Sequence, residues 1–148
     1  MTTAPSVNGQ VIGRAHYATR AVLERLLAET GATFHESVAL NATADSDGSI
    51  ERGRLVERLT STLKVDTATA EAALSGLLAQ GLLEEQQPTD VALLALTAAG
   101  KEAHRAQRAG IATITARLYA DLPAEDMAAA GRVLTELTAR ANAVLAEG

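Results

Sequence analysis

The stretch Leu55–Leu83, LVERLTSTLKVDTATAEAALSGLLAQGLL, decides the fold. Leu55, Val56 and Leu59 recur at helical spacing, and Leu63-Lys64-Val65 then breaks the pattern. Asp66 is a good N-cap for a second helix, whose Ala70, Ala73, Leu74, Leu77 and Leu78 line one face and which Gly81 ends. Two helices joined by so short a turn read as helix-turn-helix. Immediately upstream, Ser49 is the expected N-cap of the first helix, predicted from Ile50 to about Thr62. Immediately downstream, Leu82–Gln87 and Val91–Leu96 are strand-length runs around Pro88-Thr89-Asp90 and predict a hairpin, a wing on the helix-turn-helix.

Further out, Val11, Ile12, Ala15, Ala18, Val22, Leu23, Leu26 and Leu27 give a helix from Val11 to Glu29, which Gly31 stops. A short apolar stretch from Phe34 to Ala42 reads as a short second helix. The Asn, Asp, Ser and Gly residues of Asn41–Ser49 predict a loop, because such side chains bond the local backbone. Its Asp45-x-Asp47-Gly48 run departs from a calcium loop, since the glycine comes too early and Val56 stands where the closing carboxylate belongs. Past the hairpin, Thr97 opens a long helix reaching about Tyr119. Leu122-Pro123-Ala124-Glu125-Asp126 starts another, with Pro expected at the first helical position and acids in the first turn.

The 148 residues, 47% apolar and 21% charged, suit one soluble globular domain able to bury a core without disulfides or structural metal. The absence of cysteine removes thiol catalysis, iron–sulfur clusters and the usual zinc cages, and fits a cytoplasmic protein. No apolar run approaches a membrane span, and Met1–Gln10 lacks the layout of a signal peptide. One Phe, two Tyr and no Trp leave almost no platform for stacking unpaired bases.

The order of these elements resembles the MarR family of winged-helix regulators over nearly the whole chain. The residues that carry the resemblance are Leu55–Leu83, Leu96-Thr97-Ala98-Ala99-Gly100 and Leu122-Pro123-Ala124-Glu125-Asp126; Gln80-Gly81-Leu82-Leu83 and the Leu-Thr-x-x-Gly run are the more specific. The expected fold is therefore mainly α, a winged helix-turn-helix with flanking dimerisation helices and a short β-hairpin wing. Residues 1–148 make a single winged-helix domain in this reading, with dimerisation helices over 5–30 and 101–148 and the helix-turn-helix plus wing over 50–96. The resemblance also implies a homodimer, a recognition helix in the major groove, a wing reaching the minor groove and a small-molecule pocket beside the first, second and fifth helices.

Charge by segment departs from that family. Residues 1–64 and 101–148 each balance to zero, so the whole net charge of −5 falls in residues 65–100, where Asp66, Glu71, Glu84, Glu85 and Asp90 meet no Lys or Arg. This is the expected recognition helix and wing. DNA affinity rests largely on neutralised phosphates, and base readout favours Arg, Lys, Asn or Gln. The expected outward residues are Thr67, Ala68, Glu71, Ala72, Ser75 and Gly76, and the resemblance implies a basic residue at Ala72 or Gly76 and an arginine near the wing tip. Neither is present. DNA binding is accordingly expected to be weak or lost. The alternative is a ligand-responsive repressor that grips DNA through Arg52, Arg54, Arg58 and Lys64, with Thr67, Glu71 and Ser75 on the reading face.

For ligand chemistry, His16 and Arg20 lie four apart on the first helix beside Tyr17, and His104 and Arg108 repeat the spacing on the long helix after the hairpin. His35 and Glu36 sit at the start of the short second helix. Arg20, Glu36, His104 and Arg108 are the candidate ligand-binding residues, for an anionic or phenolic organic molecule. Should that molecule be transformed, His16, Tyr17 or His35 would carry the proton. The competing reading is that such pairs are solvated helix faces. No enzyme motif, cofactor fingerprint or metal-ligand spacing is recognisable, and neither a cofactor nor a metal is expected.

Overall fold

The computed structural model describes residues 5–148, in two compact units that divide within one long helix, between Ala112 and Thr113. The first unit opens with α1 (Gly9–Ala28), capped by Asn8, whose side chain accepts from the Val11 amide at 2.9 Å. Next come α2 (Phe34–Asp45), β1 (Ser49–Glu51), α3 (Arg52–Leu63), α4 (Thr67–Ala79), β2 (Leu83–Gln86), β3 (Leu93–Leu96) and the start of α5 (Ala98–Tyr119). The second unit holds the end of α5 and α6 (Ala124–Glu147).

The helix-turn-helix is α3 and α4. Lys64 ends α3 in the left-handed conformation at φ 57°, and Asp66 caps α4 by accepting from the Thr69 amide at 2.8 Å. Hydrogen bonds from Thr69, its side chain first and its amide second, hold the Asp66 carboxyl below the ordinary carboxylate range. Gly81 adopts φ 72° just past α4, a conformation that costs a glycine little and so lets the chain turn into β2. Leu40, Leu55, Leu59, Leu74, Leu77, Leu83 and Leu94 are all at most 2% exposed and form one cluster with Ala39, Ala42 and Ala70. The leucines fill the volume between α2, α3, α4 and the sheet, while the alanines add little bulk where the helices meet.

Three expectations need correction. Asn41–Ser49 is not one loop: α2 runs on to Asp45, and only Ser46–Gly48 turn. Its polar residues find partners without leaving the helix, Thr43 donating to the Ala39 carbonyl at 2.9 Å and Asn41 donating to Asp45 at 3.3 Å. Ser49 is not an N-cap, because it begins β1, and α3 is capped by Glu51 without a side-chain bond. β1 lies antiparallel to β3, Ile50 opposite Leu94, so the sheet order is β1-β3-β2 and the hairpin gains a third strand. Finally, Pro123 stands at the N-cap of α6 rather than at its first helical position.

The Leu-Thr-x-x-Gly run has a physical basis. Thr97 Oγ1 donates to the Gly81 carbonyl at 2.6 Å and accepts from the Gly100 amide at 2.9 Å, so one hydroxyl joins the end of α4 to the start of α5. The Leu82 carbonyl, which accepts from the Thr97 amide at 3.2 Å, lies 2.0 Å from where a Cβ on Gly100 would stand. Only glycine fits there.

Candidate functional site

α4 presents Thr67, Ala68, Ala72 and Ser75 to solvent. Gly76, expected to point outward with them, turns toward α2 instead: a Cβ there would sit 2.0 Å from Glu36 Oε2. Glu36 is 7% exposed, and both its oxygens are engaged. Oε1 accepts from the Thr33 amide at 3.0 Å, closing a capping box with Thr33, and Oε2 accepts from Gln80 at 3.1 Å. Its carboxylate thus ties the start of α2 to the end of α4.

Arg52 lies at the first turn of α3 and donates to Glu71 of α4 at 2.6 Å and to Glu85 of β2 at 3.1 Å. One guanidinium is therefore shared by two carboxylates, one from α4 and one from the wing strand β2. Its side chain keeps 30% of its exposure, so the contacts are partly screened. Arg58 faces Asp45 at 3.8 Å. Arg54 and Lys64 are exposed, Lys64 at the bend between the two helices.

On α1, Arg20 donates through Nε to Glu24 at 2.8 Å, and its guanidinium carbon lies 4.1 Å from the Phe34 ring centroid. His35 meets the same ring edge-on at 5.8 Å, so Arg20 and His35 converge on Phe34. His35 also lines a cleft of about 440 Å³ between the start of α2 and the first turns of α4, with Asp66, Thr69 and an alanine floor of Ala68, Ala72 and Ala73. His16 and Tyr17 stack edge to face at 5.3 Å, and Tyr17 is 72% exposed. His104 Nε2 lies 3.0 Å from Asn41 Oδ1, and Arg108 is exposed one turn further along α5. No contact joins the His16–Tyr17 pair to His104 or Arg108 among the described residues, and no three His, Asp or Glu side chains there converge as a metal would require.

Sequence reasoning misses the Arg52 bridge, because its partners lie 19 and 33 positions away. It also misses the buried bond from Ser37 Oγ to Gln107 Oε1 at 3.0 Å, which with Asn41–His104 makes a polar seam between α2 and α5. The Thr33-x-x-Glu36 spacing, by contrast, is a capping-box signal present in the sequence.

No protein-family model matches the sequence, and no curated protein does. Solved structures do. A mutant of Escherichia coli MarR complexed with operator DNA superposes with a TM-score of 0.72 at 19% identity, covering 87% of this chain and 91% of that one. A MarR-family transcriptional regulator from Rhodococcus sp. RHA1 gives 0.73 at 15% identity, over 87% and 90%. Bordetella bronchiseptica BpsR, a protein whose DNA binding is regulated by 6-hydroxynicotinic acid, gives 0.72 at 19% identity, over 91% and 99%. The fold is thus that of the MarR-like winged helix, with helices before and after the helix-turn-helix and a three-stranded wing sheet. No helix is long and apolar enough to cross a membrane among the described residues.

Proposed function

We propose that this chain acts in the cytoplasm as a homodimer that binds a small anionic or phenolic organic molecule and holds DNA only weakly. The observation that carries the reading is Arg52, a basic side chain at the α3–α4–wing junction, already bonded to Glu71 and Glu85. With no Lys or Arg in residues 65–100, the recognition helix and wing have little with which to displace counterions. Dimerisation is supported by α6, on which Val133, Leu134, Leu137, Val144 and Leu145 are each at least 41% exposed, apolar surface that an isolated chain would leave in water. Once sedimentation has established the dimer, a titration against the DNA upstream of its own gene at several salt concentrations should give weak, nearly sequence-blind binding with a shallow salt slope. Nanomolar, steeply salt-dependent, site-specific binding would replace this reading with that of a ligand-responsive repressor. The likeness to a MarR mutant held on operator DNA supports that second reading.

For the ligand, the support is Arg20. Its Nε is used by Glu24 and one face by Phe34, which leaves its terminal NH groups for a planar oxyanion lying beside the ring. In this reading His35, which meets the same ring, exchanges the proton with such a molecule. BpsR answers to 6-hydroxynicotinic acid, a compound that combines a carboxylate with a hydroxylated ring, and this makes it a suitable probe. Arg20→Gln should weaken its binding about tenfold or more, the scale of one charge-assisted contact. If Arg20→Gln, His16→Gln and His35→Gln dimers all bind as the parent does, or if the parent shows no binding, these residues are solvated helix surface.

A further inference from the structure

A cleft of about 650 Å³ opens on α3, between the end of α2, β1 and the base of the wing. Glu51, Arg54, Glu57 and Arg58 line it, together with Ile50 and Leu93. Glu57 follows Arg54 by three positions on α3, a spacing that normally lets opposite charges meet on a helix, and Glu51 stands at the N-cap three positions before Arg54. Elsewhere in this chain helical spacings of three or four do close: Glu102 pairs with Arg105, Arg20 with Glu24 and Glu136 with Arg140. Around the cleft they stay open. No ion pair joins Arg54 to Glu51 or Glu57 among the described residues, and Arg58 reaches only Asp45, at 3.8 Å.

Charges of both signs therefore stand apart around one concavity, whose lining also includes two aliphatic side chains. A simple anion would gain from the arginines and lose to the glutamates, and a simple cation the reverse. A molecule carrying both charges a few bonds apart satisfies each. The volume also falls in the range of roughly 300–1,000 Å³ usual for small-molecule sites. We infer that this cleft binds a small zwitterion of the aliphatic α-amino-acid kind, its carboxylate at Arg54 and Arg58, its ammonium at Glu51 and Glu57, and its side chain on Ile50 and Leu93. The site is separate from Arg20 and Phe34 and stands whether or not those residues take an anion.

L-Leucine serves as the probe, titrated into the full chain while backbone amide resonances are followed by NMR. Saturable shifts should centre on residues 49–61 and Leu93. N-acetyl-leucine, which lacks the ammonium, and leucinamide, which lacks the carboxylate, should each bind at least tenfold more weakly. Arg54→Gln and Glu57→Gln, both at exposed positions, should each lower leucine affinity by a similar factor, whereas Arg20→Gln should leave it unchanged. Absence of saturable shifts, equal binding of N-acetyl-leucine, or parental affinity in both cleft variants would overturn the inference.

Discussion

Gly100→Ala is expected to destabilise the protein by about 3 kcal/mol, the upper end of the usual cost of overpacking. In an exposed helix the same change gains up to about 1 kcal/mol, so the expected sign is opposite to helix propensity. The reason is the neighbour. The added methyl would stand 2.0 Å from the Leu82 carbonyl oxygen, a backbone atom between α4 and β2 that cannot rotate aside as a side-chain tip could. Relief requires moving the start of α5 or the start of the hairpin, and either motion stretches the Thr97 bonds to Gly81 and Gly100. Thermal unfolding should report a fall of roughly 6–12 °C for a chain of this size. Gly53→Ala, in the first turn of α3 with nothing within 4 Å of the new Cβ, is the control and should melt at or above the parent. A Gly100→Ala protein that melts with the parent would show that the α4–hairpin–α5 junction is loose.

The second large effect concerns DNA. Combining Glu71→Gln with Glu85→Gln removes both carboxylates from Arg52 and makes residues 65–100 less acidic by two charges per subunit. If each freed Arg52 of a dimer reaches one phosphate, the log–log salt slope should steepen by about 1.8 and affinity at low salt should rise about tenfold or more. Arg52→Gln in the otherwise unchanged protein should alter DNA binding little, because that guanidinium is already bonded to Glu71 and Glu85. A filter-binding series over salt concentration reads both quantities. Tight parental binding abolished by Arg52→Gln would mean that the carboxylates yield to phosphate on contact. Glu71 and Glu85 would then be a latch rather than a block.

Much of this architecture is legible in the sequence wherever one helix face repeats over several turns. The buried positions of α4, Ala70, Ala73, Leu74 and Leu77, follow from spacing alone, as does the Asp66 cap. β1 does not, because Ser49, Ile50 and Glu51 are too few to show alternation and become a strand only by pairing with β3. The end of α2 is obscured for a different reason. Asn41, Thr43 and Asp45 are turn formers by composition, but here they bond within the helix while Ala39, Leu40 and Ala42 are buried. The charge map of the reader is legible, whereas the sharing of Arg52 between Glu71 and Glu85 exists only once three elements have met. Glu36 shows the limit at the candidate site: a carboxylate beside a histidine suggests ligand chemistry, but the Thr33 backbone amide three residues earlier and Gln80 at the end of α4 use it as a structural tie.

The third strand changes what kind of object the wing is. A two-stranded hairpin is a local motif that can form, fray and re-form on its own, and by itself it is marginal in water. Here the middle strand is β3, and one of its neighbours, β1, precedes the entire helix-turn-helix. The β1–β3 ladder can close only after α3 and α4 have brought the chain back upon itself, at the entropic cost of a long loop. Its completion therefore belongs late on the folding route, among the contacts of high sequence separation that slow folding. Once made, the ladder fastens the wing's base to the strand that leads into α3, so the base cannot peel away without opening the closed stretch of chain that carries α3 and α4.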